Sequence, residues 1–233
     1  LVSLSLEIAH RLHHTHPDLQ FVIPVAPTVT PATLATYADP AQNATVEVMA
    51  GPAAEPVTPQ NGLPYLQIQA GPKVWLWTDF PAHGLLKRCT LCVPTVGANT
   101  AQLGSLAVPM VVLLPTQQLE AMRTWDGFWG LLCQLPVVGP SLTRAITTVA
   151  VRYIQRTGRR FAWPNIWAKK EVVPELLGRI TAEEVCDRIC TYLSHPEQLT
   201  AMGQTLRSLR GPSGAARRFT DLIKDTLTST TTA

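Results

Sequence analysis

Apolar side chains recur along the chain with two spacings, and the spacing decides which element each stretch predicts. Apolar residues three or four positions apart, as at Leu4, Ile8 and Leu12, predict amphipathic helices. Short unbroken apolar runs, such as residues 21–25, predict strands that are buried on both faces. Helices are predicted over residues 3–14, 31–37, 79–88, 97–107, 117–125, 141–156, 171–177, 181–193, 196–211 and 214–227, and strands over 21–25, 45–49, 65–69, 74–78, 89–93 and 109–114.

Residues at the predicted helix ends support these boundaries. Thr30 followed by Pro31 is typical of a capping residue and a first helical turn, and Asp79 is predicted to cap the next helix. Thr181 and Glu184 have the spacing of a capping box. Because strands alternate with helices, we expect an α/β fold with one doubly wound, mostly parallel sheet, as in Rossmann-like domains.

A sheet of this kind binds its ligands beyond the carboxyl ends of its strands, so the loops after the predicted strands are the places to look for function. Residues 1–227 are predicted to form one domain, and the Ser/Thr-rich residues 228–233 a disordered tail. The chain starts without methionine and directly in a helical pattern. We therefore expect that it begins partway through a longer protein.

The composition limits the class of protein. Apolar residues make up 46% of the 233 residues and charged residues 15%, which provides for a core and argues against disorder. Prolines, glycines and polar residues interrupt the uncharged stretch 89–119, so it does not predict a transmembrane helix. A net charge of +3 is too small to indicate nucleic-acid binding. We expect a cytoplasmic protein without a signal peptide.

The charges are unevenly distributed. Residues 1–120 contain four basic and seven acidic side chains, whereas residues 121–233 contain fifteen and nine. Seven basic residues and no acidic one lie between Asp126 and Glu171, which indicates an anionic ligand such as a phosphate or a lipid head group. Residues 127–160 combine an apolar stretch with an Arg-bearing helix, so peripheral contact with the inner membrane is one interpretation. The other is a helix packed on the domain with its arginines in water.

The number and positions of the cysteines favour reduced, structural thiols. Their number, five, is odd and argues against a secreted disulfide framework. Cys89 and Cys92 form a CxxC motif inside an apolar run, which favours buried, reduced thiols over a zinc site.

The first candidate site is a strand exit followed by a short helix. Small residues at Gly97 and Ala98 allow a ligand to approach the main chain, and amides at a helix start can bind phosphate oxygens. Asn99, Thr100 and Gln102 offer uncharged hydrogen-bonding groups that suit a sugar. An ordinary strand–helix turn that binds no ligand is the alternative, because it has the same sequence features.

The second candidate site is the segment 163–177. Asn165 follows the rigid Pro164 between two tryptophans, and Lys170 belongs to a charge cluster at a predicted helix start. A packed loop with solvated charges is the alternative.

In this order, the two segments resemble lipid-A-disaccharide synthases, and more closely the synthase-like proteins of cyanobacteria. The family's first segment reads Ser-Gly-Thr-Ala-x-Leu-Glu, then Pro-Met-Val-Val, and residues 96–102 and 109–112 occupy these places. Its second segment reads Pro-Asn-x-x-Ala-x-Arg-x-x-x-x-Glu-Leu-Leu, which residues 164–177 match with Lys170 in place of arginine. Residues 16–27 also look like the family's second strand.

The resemblance implies the carboxy-terminal, donor-binding domain of a GT-B glycosyltransferase. In that family a UDP-linked, acylated glucosamine is transferred to a lipid-linked sugar acceptor, and neither a metal nor a cofactor is needed. No catalytic residue is assigned by the resemblance. The residues that it implies for donor binding are Gly97, Ala98, Asn99, Thr100, Gln102, Pro115, Thr116, Gln117, Asn165 and Lys170.

Departures from the family pattern argue against turnover by this chain alone. The family's amino-terminal domain, first carboxy-domain strand and Gly-Ser-Arg phosphate loop would all precede Leu1. Gln102 stands where the family has a glutamate that accepts from ribose hydroxyls, and a charge-assisted hydrogen bond is about twice as strong as a neutral one. We expect weak donor binding. A non-catalytic binding or scaffold module descended from the enzyme is the alternative.

Overall fold

The chain forms short strands between helices. A computed structural model describes residues 1–39, 41–43, 46, 51–115, 158–211 and 214–230. The helices of these residues are α1 (Val2–Thr15), α2 (Pro31–Thr36), α3 (His83–Leu86), α4 (Ala98–Leu106), α5 (Trp163–Ala168), α6 (Ala182–Ser194), α7 (Pro196–Leu209) and α8 (Ala215–Thr230). The strands are β1 (Phe21–Pro24), β2 (Ala54–Val57), β3 (Tyr65–Ile68), β4 (Lys73–Trp77), β5 (Val112–Pro115) and β6 (Glu175–Gly178).

The strands form two sheets in an α/β arrangement. Four strands make a mixed sheet in the order β1-β4-β3-β2, in which β1 and β4 are parallel and β3 is antiparallel to both of its neighbours. The remaining strands, β5 and β6, pair in parallel. The prediction of one mostly parallel sheet is therefore wrong for the first half of the chain. A parallel pair needs a crossover of a dozen or more residues, and only residues 69–72 connect β3 to β4.

Helix α1 lies between two parts of the core. Its residues Leu4, Ile8 and Leu12 pack with α6 and with the β5–β6 sheet. On another face, Leu6 and Ala9 pack against the mixed sheet and α2. The predicted stripe at positions 4, 8 and 12 is confirmed, and a second buried stripe lies beside it.

Strand β5 and the residues before it are buried on both faces. Val111 and Leu113 point into the core shared with α1 and α6, whereas Met110 and Val112 point into the core shared with α4 and α7. Side chains alternate across a strand, so an unbroken apolar run needs an apolar cover on each face. The continuous apolar pattern of 109–114 therefore predicts a buried strand correctly.

The predicted caps are present at two helices. The hydroxyl oxygen of Thr30 accepts from the main-chain N–H of Thr33 at 3.1 Å, and Pro31 follows in the first turn of α2. The hydroxyl oxygen of Thr181 accepts from the N–H of Glu184 at 3.2 Å at the start of α6.

The predicted helix over 171–177 is wrong, because this segment contains a turn and strand β6. The side-chain oxygen of Asn165 accepts from the N–H groups of Val172 and Val173, so these amides are used outside a helix. Leu176 lies opposite Leu113 in the parallel pair with β5. A buried neighbouring strand thus decides the conformation of residues whose local pattern fits either element.

Two further predicted elements are shorter than expected. The helix over 79–88 contains only α3, which starts after Ala82, and Asp79 does not cap it. The strand over 89–93 is reduced to isolated bridges of Cys92 with Met110 and of Thr95 with Leu113. Pro94 lies between the two bridges and has no N–H to continue a ladder.

Some predictions fall outside the described residues. They concern the strand over 45–49 apart from Val46, the helices over 117–125 and 141–156, and the apolar stretch 127–140. The predicted tail from residue 228 starts inside α8, which continues to Thr230.

Candidate functional site

The first candidate segment lies where parallel main-chain segments end. The bridge between Thr95 and Leu113 is parallel, and the chain then passes through Gly97 into α4. Strands β5 and β6 end side by side, with Pro115 opposite Gly178. This carboxyl edge is where a doubly wound sheet binds its ligands.

Helix α4 starts with open main-chain donors. Gly97 precedes the helix with φ 138°, a conformation that side chains with a Cβ rarely adopt, and no side chain caps the helix. Residues 97–99 are exposed, and no described residue accepts from the N–H of Ala98 or Asn99. The first amides of a helix have no partner within it, and they attract anions. This end of α4 is therefore able to bind phosphate oxygens.

Thr100 has a structural role rather than an exposed one. It is fully buried, its hydroxyl donates to the carbonyl of Gly97 at 2.8 Å, and its oxygen accepts from the N–H of Trp163 at 3.2 Å. Both hydrogen bonds of this hydroxyl are therefore made within the protein. The hydroxyl joins the turn before α4 to the first residue of α5.

The two candidate segments are thus in direct contact. Besides the bond between Thr100 and Trp163, α4 and α5 approach closely at Gly104. A Cβ at position 104 would lie 2.9 Å from Cγ of Pro164, a distance that real Cβ atoms essentially never show. The sequence places these segments more than sixty residues apart, so their contact is a property of the tertiary structure.

Asn165 is buried with its hydrogen-bonding capacity used inside the protein. Its amide nitrogen donates to the carbonyl of Val173 at 2.8 Å and to the carboxylate of Glu175 at 2.7 Å. Its oxygen accepts from the N–H groups of Val172 and Val173 at 2.6 and 2.9 Å. An amide side chain offers two donors and two acceptor positions, and all four are occupied. The side chain of Asn165 therefore holds the loop in place.

Glu175 completes this network. Its carboxylate accepts from the N–H of Phe161 at 3.0 Å and from the N–H of Ala162 at 3.0 Å, in addition to the amide of Asn165. Main-chain and amide donors of the described residues stabilise this carboxylate. Sequence reasoning matched Glu175 to the family pattern but did not give it this role. The sequence feature that could have indicated this role is the spacing of Asn165 and Glu175 around a loop with a proline at each end.

The other predicted residues occupy different surroundings. Gln102 is half-buried in α4, and Pro115 is buried at the end of β5. Lys170 is exposed and lines a cavity of about 340 Å³ with residues of α6 and α7, and no residue of α4 takes part in it. Thr116 and Gln117 lie outside the described residues. This cavity therefore does not connect Lys170 with the start of α4.

Two further features concern the described parts of the chain: groups of metal-binding side chains and membrane-spanning helices. Within them, three or more His, Cys, Asp or Glu side chains nowhere group closely enough to hold a metal ion. None of the described helices combines the length and apolar character needed to cross a bilayer.

Comparisons with protein-family models, curated proteins and solved structures gave no match to this chain. The class of protein that the coordinates establish is an α/β protein with a mixed sheet and a parallel two-stranded sheet.

Proposed function

We propose that the chain is the donor-binding part of a UDP-sugar-dependent glycosyltransferase with a Rossmann-like, GT-B domain, related to lipid-A-disaccharide synthase. The observation that carries the proposal is the contact between the two segments that resemble that family, through Thr100 and Trp163. Segments that are distant in sequence and share a ligand must be adjacent in space, and these are.

The start of α4 is the place proposed for the diphosphate. Ala98 and Asn99 contribute open amides, and the positive end of the helix dipole favours an anion there. Gly97 has no side chain to block the approach. In a transfer reaction these amides would stabilise the charge that develops on the leaving diphosphate, without a metal.

An apolar surface lies next to this site. Such a surface favours a donor that carries an acyl chain. Trp163 is 43% exposed and Trp167 is 41% exposed, and their ring centroids are 6.2 Å apart on α5. Helix α5 packs against α4 at Gly104. We propose that these rings contact the acyl chain of the donor, while a lipid-linked acceptor approaches from the open side.

A non-catalytic binding module is the second candidate, and two observations favour it. All hydrogen-bonding positions of Asn165 are occupied, and Lys170 lines a cavity without α4 residues. The polar side chains of the second segment therefore offer little to a transfer reaction. Such a module would keep the fold and the open amides of α4 without turnover.

Calorimetric titration with UDP tests the proposal. We expect saturable binding with a dissociation constant of about 1 mM, corresponding to about −4 kcal/mol. The informative variant is Ala98→Pro, because proline is tolerated at the first helical position and removes only the N–H. It should weaken UDP binding at least tenfold, since a hydrogen bond to a charged group contributes about 1.5–3 kcal/mol and each 1.4 kcal/mol is about a factor of ten.

Ala98→Ser is the matched control, because it changes the side chain and keeps the amide; its affinity should equal that of the wild type. Circular dichroism verifies that both variants are folded. Absence of saturable heat at ten times the expected constant would reject donor binding and leave the scaffold module as the explanation. Equal affinity of Ala98→Pro and wild type would reject the proposed position of the diphosphate.

A further inference from the structure

Cys89 and Cys92 are partly buried thiols separated by two residues. Cys89 follows α3 and is half-buried, with its thiol donating weakly to the carbonyl of Leu85 at 3.6 Å. Cys92 is held by its main chain: its N–H donates to Pro109 at 2.9 Å, and its carbonyl accepts from Val111 at 2.9 Å. The two cysteines have the CxxC spacing of redox-active motifs. Oxidation of the pair would close a disulfide across two intervening residues.

A basic cavity of about 400 Å³ lies beside Cys89. Its charged lining residues are Lys87, Arg207 and Arg210, and neither aspartate nor glutamate lines it. Arg210 donates to the carbonyl of Ser105 at 3.3 Å, so its guanidinium is anchored beside the end of α4. Cys89 is part of the lining. An anionic molecule that enters this cavity meets three cations and one thiol.

The two thiols differ in acidity. Interaction with the Cys92 thiol lowers the pKa of Cys89 to about 7, although burial acts in the opposite direction. The same interaction, together with burial, raises the pKa of Cys92 well above its usual value. The thiolate is the nucleophile in disulfide exchange, so Cys89 attacks first and Cys92 second.

The other described cysteines show what a structural thiol looks like in this chain. Cys186 is buried in the core between α1 and α6, where its thiol donates to the carbonyl of Ile8 at 3.7 Å. Burial raises its pKa to about 11. Neither Cys186 nor Cys190 lines the basic cavity. These two cysteines, one helical turn apart, are an internal control for the CxxC pair.

We propose that Cys89 and Cys92 are a redox-active dithiol that reacts with anionic, low-molecular-weight disulfides bound in the cavity of Lys87, Arg207 and Arg210. The Cys89 thiolate attacks one sulfur of the disulfide, a mixed disulfide forms, and one thiolate leaves. Cys92 then releases its proton to solvent and attacks Cys89, forming the internal disulfide and expelling the second thiolate. Two protein thiols are oxidised and one disulfide is reduced to two thiols.

This site is separate from the proposed UDP site. The cavity lies at the carboxyl end of α4, with Leu106 and Ala107 in its lining, whereas the open amides lie at the amino end. Nine residues of helix span about 13 Å. Loss of UDP binding and loss of thiol exchange can therefore be measured independently.

Oxidised glutathione is the probe, because it is an anionic disulfide. The experiment uses the full chain with Cys133→Ser, which removes the one cysteine outside the described residues. After equilibration with mixtures of reduced and oxidised glutathione, alkylation and peptide mass spectrometry identify the oxidised cysteines. We expect a disulfide between Cys89 and Cys92, with Cys186 and Cys190 alkylated. A pair that stays reduced at every ratio overturns the proposal.

Variants at the cysteines test the order of attack. Cys92→Ser should accumulate glutathione on Cys89, whereas Cys89→Ser should not accumulate it on Cys92. The exchange rate should rise about tenfold per pH unit and level off near pH 7. Cys92→Ala removes the donor and should move this midpoint upward, and Cys92→Ser keeps a hydroxyl donor and should restore it. Equal pH profiles of the two variants overturn the assigned roles.

Charge variants test the cavity. The double variant Lys87→Gln, Arg207→Gln should slow the reaction with oxidised glutathione about tenfold, the lower limit for a charge-focusing cleft. Its reaction with the uncharged disulfide of 2-mercaptoethanol should stay within about twofold, which also shows that the variant is folded. An equal slowing with both disulfides, or none with either, overturns the role of the cations.

Discussion

At the scale of single residues, the interior polar groups of the loop before β6 depend on Asn165. It satisfies the N–H groups of Val172 and Val173, the carbonyl of Val173 and one oxygen of Glu175. Asn165 is 1% exposed, so water does not replace these bonds in its absence. A buried polar group without a partner costs about 1–3 kcal/mol.

Asn165→Ala is therefore expected to lower the free energy of unfolding by at least about 3 kcal/mol, because it leaves several buried groups without a partner. Urea unfolding measures the change. The control is Glu171→Gln, which neutralises an exposed carboxylate beside the same loop and should change stability by no more than about 0.5 kcal/mol. A loss below about 1 kcal/mol for Asn165→Ala would contradict the structural role assigned to this side chain.

At the scale of elements, the helix ends are determined by local chemistry. Thr181 caps α6 through the N–H of Glu184, and Thr30 caps α2 in the same way. Helix α4 begins differently, after Gly97 at φ 138° and without a side-chain cap. The uncapped start is the one at which we propose ligand binding. Capping and ligand binding are alternative uses of the same amides.

Thr181→Ala is expected to destabilise the protein by about 1 kcal/mol, because it removes the acceptor for an amide in the first turn of α6. The matched control is Thr191→Ala in the same helix. The hydroxyl of Thr191 donates back to the carbonyl of Asp187, and alanine is the better helix former, so stability should be unchanged or slightly higher. Thermal unfolding compares the two variants. Equal melting temperatures would show that the cap contributes nothing.

At the scale of the whole molecule, α1 connects the mixed sheet to the β5–β6 sheet. Leu6 contacts the first of these core regions and Ile8 the second. A helix that both regions share makes it unfavourable for either to unfold alone. The proposed UDP site and the thiol pair both belong to the side of the molecule that contains β5 and α4.

Leu6→Ala should therefore affect the core on both sides of α1. We expect a loss of about 2–5 kcal/mol, as for other buried leucines, and faster hydrogen exchange in peptides from both β3–β4 and α6. Leu222→Ala is the control, because this leucine of α8 is 64% exposed and its replacement should leave exchange in both regions unchanged. Faster exchange confined to β3–β4 would mean that the two regions unfold separately.

The sequence alone determined the features that depend on neighbours along the chain. The apolar spacing predicts α1, α6 and α7, and the capping residues predict the starts of α2 and α6. The turn into α4 was also predictable from Gly97 and the small residues after it. These features involve contacts within a few residues, which a local pattern records.

Only the tertiary structure decided the features that depend on distant partners. Residues 175–178 are a strand because β5 lies beside them, and Asn165 is structural because its partners surround it. Cys89 lines a basic cavity because α7 brings Arg207 to it from more than a hundred residues away. The burial and the charge of a site depend on segments that are distant along the chain. The sequence specifies their residues, but only folding brings these residues together.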